Sequence, residues 1–528
     1  MTSHAKHVAW PVGAALLVGL SGAASGQDIE AIYTKIPDHP TSLVPGAVDL
    51  DGNPIETRFR AFHDLVGSPD GSHWLLRGRT QQGSDAENIL LLGSGGEGTS
   101  FAQEGQPIPD AEPGEVYDFF GSALGRFNED NDFAFSARAR GGDSDVRQKV
   151  LRVIDGEAEI ATQMGDPYFG LVDNPPDNSG NETVGNSIGS IHLLNDGTIG
   201  AMDPTIQNIS ALNRPATFYD NHAFHQTNVT TVESFQGGFT VPWTNMSNNS
   251  FYSTPDYDPD SGEGGGWITR GRIDSLFGPD MLVVNGKIVI QEGQDLPDSS
   301  RTVDDINNAN IAPNGDWFAR GSDTNDNAWA VRNGEIFAVA DDPVPGGVSG
   351  ERWTSFSTFT GNAHGDWILV GSTNLEDETR NSVIVVNGEV VVREDDPVVL
   401  PGNGQWDGNV FIGRGNPDLS AFSSSDVFLS DDGVLYFLAN IRDGDGNDLN
   451  SDPSFSLPLA FLRIDVAKAP DCPADLTGDG MVGGADLGVL LSEWGDCADP
   501  DDCPADLTGD GSVGGADLGV LLSEWGDC

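Results

Sequence analysis

Twelve residues near the end of the chain, 475–486, carry oxygen-bearing side chains at loop positions 1, 3, 5 and 12: Asp475, Thr477, Asp479 and Asp486. Residues 506–517 repeat the pattern with Asp506, Thr508, Asp510 and Asp517. A hard cation such as calcium takes about six to eight oxygens, and alternate positions of a tight loop can bring them to one centre. Gly480 and Gly511 at position 6 permit the sharp turn. The backbone carbonyls of Met481 and Ser512 at position 7 would complete the protein's ligand set. Position 9 is glycine in both copies, Gly483 and Gly514, which leaves a water to serve there.

Each loop belongs to a unit, 472–497, that returns at 503–528 with one change, Met481 to Ser512. Behind the first loop Leu487, Leu490, Leu491 and Trp494 fall at i, i+3, i+4 and i+7, one face of a short helix that Gly495 would end. Pro473 and Pro504 stand where an entering helix would run. A loop of EF-hand type with one exiting helix, present twice, resembles a type I dockerin over about a tenth of the chain. That resemblance implies a calcium-dependent module, 468–528, docking to a cohesin-like protein or a cell-surface scaffold. Thr477 and Thr508 stand where dockerins usually carry Asn or Asp. Gly484-Ala485 and Gly515-Ala516 replace the pair that often carries hydroxyls for cohesin recognition.

All four cysteines, Cys472, Cys497, Cys503 and Cys528, lie in these repeats. An even count in an exported chain points to disulfides, with three connectivities open. The equivalence of the repeats favours Cys472 with Cys497 and Cys503 with Cys528.

Elsewhere the chemistry is sparse. Asp256, Asp258 and Asp260, and Asp443, Asp445 and Asn447, form further alternating-oxygen runs, in a chain acidic enough to produce them by chance. His222 and His225 lack the third ligand and general base of a zinc hydrolase. The chain has no GxSxG elbow, P-loop or HExxH, and the core has no cysteine for thiol catalysis. Paired carboxylates for glycoside hydrolysis cannot be picked out among 82 acids, because their separation is set by the fold.

Those 82 acidic residues face 26 basic ones, a formal charge of −56. Such a surface repels nucleic acid, and it repels anionic polysaccharide unless a cation bridges the two. Solubility in salty water accounts for the excess. The N-terminus, 1–26, has Lys6 and His7 before an apolar run from Val8 to Ala24 and then small residues, an export-signal pattern. No other stretch reaches membrane length, so the mature chain is expected outside the cell or at its surface.

The elements that must carry any core site are β-strands. From 27 to 467, short apolar runs alternate with Gly, Asn, Asp and Pro, an all-β signature. A tight turn followed by an aromatic strand recurs seven times, in SPDGSHWLLRG, NEDNDFAFSA, NDGTIGAM, GEGGGWITRG, PNGDWFARG, AHGDWILVG and SDDGVLYFLA. Asn-Gly and Asp-Gly hairpins follow several of them. Two hairpins per unit predict four strands, and seven units predict a seven-bladed β-propeller with a small α, calcium-loop domain at the C-terminus. Two tandem β-sandwiches are the alternative. The last unit lacks its outer strand, and 29–46 resembles the missing piece, so the N-terminal strand is expected to close the ring. These repeats resemble those of planctomycete-type secreted proteins with a dockerin-like tail. Trp74, Trp267, Trp317 and Trp367, each just after a turn, read as blade packing. The irregular stretch 204–259 is the expected place of a ligand site.

Three functions fit this pattern. The first is a secreted calcium-binding protein with a propeller platform and a docking tail. The second is an extracellular polysaccharide-degrading enzyme, a glycosidase or lyase, tethered by that tail. The third is a structural component of the cell envelope. The missing catalytic motif argues for the first and third.

Overall fold

The computed structural model describes residues 28–527, apart from 174–179, 247–249, 274–277, 402–407, 417–418, 451–457, 467–473, 475, 478–480, 498–502, 509–510 and 524. The export-signal segment, Asp475, Asp479, Asp510, Cys472 and Cys528 lie outside the described residues. Between 28 and 466 the described chain is strands joined by turns and three short 3-10 segments. The two α-helices, Gly484–Ser492 and Gly515–Ser523, follow the two acidic loops. The all-β core with a small α tail is therefore as the repeats predict.

The repeating unit is a four-stranded antiparallel meander. Val303–Ile311, Trp317–Asp323, Ala328–Arg332 and Glu335–Val339 form one, and Trp353–Gly361, Trp367–Thr373, Ser382–Val386 and Glu389–Arg393 form the next. Their outer hairpins turn at Asn333-Gly334 and Asn387-Gly388, where φ is 51° and 88°, then 47° and 89°. Both central residues are left-handed, the twist a two-residue hairpin needs, and Asn and Gly tolerate it best. The Asn side chain does a second task. Asn333 Oδ1 accepts from the Trp317 amide at 2.9 Å, and Asn387 Oδ1 from the Trp367 amide at 3.0 Å. Asn285 does the same for Trp267 at 2.8 Å. The recurring Trp and the recurring Asn-Gly are thus one device. Trp74, Trp267 and Trp317 are buried between sheets, as expected of packing residues.

The inner strands of successive units touch in cyclic order. Arg77 Nη1 donates to Phe120 O at 3.2 Å, and His192 pairs with Arg126 across a parallel ladder. His192 Nε2 reaches Ser253 Oγ at 3.2 Å, Arg270 Nη1 the Asn307 carbonyl at 2.6 Å, and Arg320 Nη1 that of Phe356 at 3.1 Å. The Ser425 amide donates to Thr358 Oγ1 and the Leu65 amide to Asp426 Oδ1, each at 3.0 Å, which returns the series to its start. Sheets so arranged form a propeller-like ring around a central channel. Apolar clusters fill the spaces between neighbouring sheets; one joins Trp74 and Leu76 of the first unit to Tyr436 and Phe461 of the last.

The seam closes as the sequence predicts. Ile29–Thr34 pairs antiparallel with Ala460–Asp465 and completes the last sheet from its outer side. In the irregular stretch, Ala216–Tyr219 and His222–Gln226 are regular strands of the third unit. Thr231–Glu233 and Thr240–Pro242 form a hairpin on the outer edge of the fourth sheet, beside Lys287. Most of 204–259 therefore faces away from the channel.

Candidate functional site

The channel holds a cavity of about 600 Å³ lined by first strands from around the ring. A local rule aims polar residues into it. Phe59–Gly67, Val303–Ile311 and Trp353–Gly361 each carry a bulge that advances the register at Asp64, Asn308 and Thr358. Opposite stand Gly78, Gly321 and Gly371, the small residue that ends each recurring strand motif. An ideal Cβ on Gly321 would lie 1.9 Å from the Asp305 carbonyl oxygen. Only glycine admits the bulged strand at that distance, and the bulge turns Asp64, Asn308 and Thr358 toward the cavity they line.

At one side of the cavity the first and last units supply an acid pair. Asp64 is ion-paired with Arg77. Asp426 accepts from the Leu65 amide at 3.0 Å and from the Ser423 hydroxyl. Burial pushes the Asp426 carboxyl up to about 7, against the pull of Ser423 and Leu65, and the Asp64 charge adds to the rise. Burial also raises Asp64, partly offset by Arg77. Beside them burial, with Arg77, Arg79 and Lys35, lowers His63 to about 4, so its ring is neutral at pH 7. His63 Nε2 finds no hydrogen-bond partner among the described residues.

Across the cavity stands Arg126. Its guanidinium carbon sits 3.7 Å above the Tyr252 ring, and Nη1 donates to Ile311 O at 2.9 Å. None of the described ion pairs includes it. Burial lowers its basicity, and Tyr252 offsets part of that. The neighbouring His192 is buried and lowered to about 3, so it adds no charge. Near Arg126, Asn310 donates through Nδ2 to Phe359 O at 3.4 Å, while its Oδ1 has no partner among the described residues. The sequence reading missed this site, and of the irregular stretch only Tyr252–Pro255 reaches it. The legible signal was the glycine that closes each strand motif, which marks the bulge.

In the tail, the position-12 aspartates Asp486 and Asp517 are fully buried in the first turn of their helices. Asp486 accepts from the Thr477 amide at 3.0 Å, Thr477 Oγ1 at 2.8 Å and the Gly483 amide at 2.7 Å. Asp517 repeats this with Thr508 at 3.0 and 2.9 Å and Gly514 at 2.6 Å. Burial alone would raise both carboxyls; these donors hold them below their usual value. Asp506 Oδ2 accepts from the Gly511 amide at 2.8 Å. In the second loop position 12 thus draws in positions 3 and 9, while position 1 accepts from the amide of position 6. Ser512 begins a two-residue strand, as Met481 does in the first. Among the described residues, no group of three or more His, Cys, Asp or Glu is gathered closely enough to hold a metal.

The disulfide expectation is corrected. Cys497 is bonded to Cys503, which joins the two repeats instead of closing one. Each repeat's end pairs with the other's loop: Gly495–Asp496 with Ser512–Val513, and Met481–Val482 with Gly526–Asp527. Cys497 therefore lies against the second loop, its amide on Gly511 O. The helix stripe is divided as well. Leu490 and Leu521 are buried in a shared core, whereas Leu491, Trp494, Leu522 and Trp525 are about half exposed.

The other candidates act as structure. Asp258 and Asp443 spend their carboxylates on turn amides, those of Asp260 and Ser261, and of Asp445 and Asn447. His222 is exposed and stacked on Phe169, while His225 is partly buried beside Trp243 and Trp267, so the two do not converge.

No family model matches the chain, and no curated protein does. Among solved structures it is similar to an oligogalacturonate lyase from Vibrio parahaemolyticus (TM-score 0.38, 10% identity, 84% of this chain and 98% of that one). It is also similar to the polysaccharide lyase Uly1 (0.34, 10%, 84% and 99%) and the WD40 β-propeller domain of Doa1 (0.33, 11%, 84% and 98%). Likenesses at this level decide nothing about activity.

Proposed function

We propose that this chain is a secreted calcium-binding protein: a seven-bladed propeller serves as a binding platform, and a dockerin-like tail attaches it to a cohesin-like or cell-surface partner. The observation that carries the reading is the pair of fully buried aspartates, Asp486 and Asp517, each drawn to the position-3 threonine and position-9 amide of its own loop. A buried carboxylate at position 12 with an oxygen ligand 2.8 or 2.9 Å away suits a hard cation. Asp475, Thr477, Asp479, Asp486 and the Met481 carbonyl would hold one calcium. Asp506, Thr508, Asp510, Asp517 and the Ser512 carbonyl would hold the other. The bound ion would neutralise the carboxylates that hold it and lock loop to helix.

The test is calcium titration of the full mature chain by calorimetry, with circular dichroism in calcium and in chelator. Two bound ions and a chelator-reversible gain of helix are expected, with one ion lost in Asp486→Ala and one in Asp517→Ala. Heats and spectra indifferent to calcium would sink the reading.

The Asp64–Asp426 pair favours a second reading, an extracellular polysaccharide hydrolase or lyase. Asp426, with a carboxyl near 7, would hold a proton at neutral pH and donate it, while Asp64, paired with Arg77, would stay charged. New reducing ends or unsaturated sugars released from a polysaccharide panel, and lost in Asp426→Asn, would establish it. No release across the panel leaves the platform reading.

A further inference from the structure

We propose that the central channel binds a small sugar acid, with Arg126 taking the carboxylate. The assignment concerns the core alone and stands independently of calcium binding by the tail.

An enclosed guanidinium with no carboxylate partner is costly, because moving a charge out of water is repaid only by a counter-charge or by hydrogen bonds. In a chain of net charge −56, carboxylates to pair with are plentiful. Arg126 nevertheless meets a neutral ring and one backbone carbonyl. Its accessible part is toward the cavity it lines. Tyr252 holds the guanidinium plane from one face, and the bond to Ile311 O fixes its rotation, which leaves further N–H donors in a rigid fork. That geometry suits bidentate contact with a planar anion.

The rest of the lining identifies what the anion is attached to. Asn308, Asn310, Thr358, Ser424 and Ser425 are uncharged donors and acceptors from three units, and Asn310 Oδ1 is an open acceptor. Asn308 already bonds Ser425, Ser425 bonds Thr358 and Ser424 bonds Ser357 O, so these groups offer a ligand's hydroxyls their remaining capacity, while Asn310 Oδ1 is a buried acceptor that an alkyl carboxylate would leave unpaired. A volume of about 600 Å³ admits one or two sugar rings. The charge opposite is muted, since Asp64 is neutralised by Arg77 and Asp426 carries a proton for much of the time at neutral pH. The acidic exterior repels anions at long range, but that repulsion is screened within about 8 Å at physiological salt, whereas contact with Arg126 is screened far less.

The test is calorimetry on the full mature protein at pH 6.5, with glucuronate and galacturonate as probes and glucose, glucuronamide and acetate as controls. At least one uronate is expected to bind ten or more times tighter than every control. Arg126→Gln should reduce that advantage to within about twofold. Should Arg126→Gln fail to fold, Asn310→Ala keeps the cation; it should weaken uronate and glucose together and leave their ratio unchanged. Absence of binding by either uronate, equal affinity for glucuronate and glucuronamide, or acetate binding as tightly as the uronates overturns the proposal. So does an advantage that survives Arg126→Gln.

Discussion

The amide of Leu65 donates to the carboxylate of Asp426 across 3.0 Å, although 361 residues separate them. This bond ties the first unit's innermost strand to the last unit's, and it fixes one carboxylate beside Asp64 in the channel. Closure of the ring and assembly of the acid pair are therefore a single event.

Asp426 should make the fold less stable as pH rises. Its carboxyl is raised to about 7 in the folded chain from an ordinary value of 3.8, so between those values the folded state binds the extra proton. Its penalty is absent below about pH 4 and complete above about pH 7, and each tenfold gain in proton affinity on folding corresponds to about 1.4 kcal/mol. Asp426→Asn should match the parent at pH 3.5 and exceed it by a few kcal/mol at pH 8. Thermal melts at the two pH values measure this, and a pH-independent difference would contradict it.

Glu351 should act in the opposite sense. It is fully buried against Arg393, with contacts of 2.8 and 2.9 Å, and also accepts from the Val348 amide. Burial would raise its carboxyl, yet Arg393 and these donors hold it below 4.5. Its stabilisation is complete above the unfolded value and is lost as pH falls through the folded one. Glu351→Gln leaves a buried guanidinium half-paired and should cost about 3–5 kcal/mol at pH 7. Denaturant midpoints check it; a loss under about 1 kcal/mol would place the pair among surface bridges.

At the hairpin turns, Asn387→Ala removes the acceptor for the Trp367 amide and puts an alanine at a φ of 47°. The expected loss is about 1–3 kcal/mol, the sum of a hydrogen bond and a left-handed residue. Asn387→Gly restores the backbone freedom but not the acceptor, so it should recover part of the loss in the same melt.

For the tail, peptide mapping without reduction should recover a fragment joining Cys497 to Cys503. Closing so short a loop is worth about 2 kcal/mol of chain entropy. The double change to Ser should loosen the pairing of Gly495–Asp496 with Ser512–Val513, read as faster amide exchange there, while the core's exchange stays as it was. Exchange unchanged in the tail would mean that the shared apolar core alone holds the repeats together.

Local features were legible because local chemistry sets them. Asn-Gly and Asp-Gly pairs need left-handed backbone and formed the hairpins expected of them. The strand missing from the last unit was visible in the N-terminal segment because both carry the same pattern, and Ile29–Thr34 took that place. The two short helices, Gly484–Ser492 and Gly515–Ser523, lie behind the acidic loops as the spacing predicts. Partnership at a distance was not legible. The equivalence of two repeats says nothing about whether each closes on itself or on its twin; the crossed pairing of strand ends joined Cys497 to Cys503. Likewise Asp64, Arg126 and Asp426 are ordinary members of strands whose neighbours in sequence do not foretell a cavity. Strand periodicity assigns a side chain to a face, but only bulges and the closing of the ring decide which faces meet around the channel.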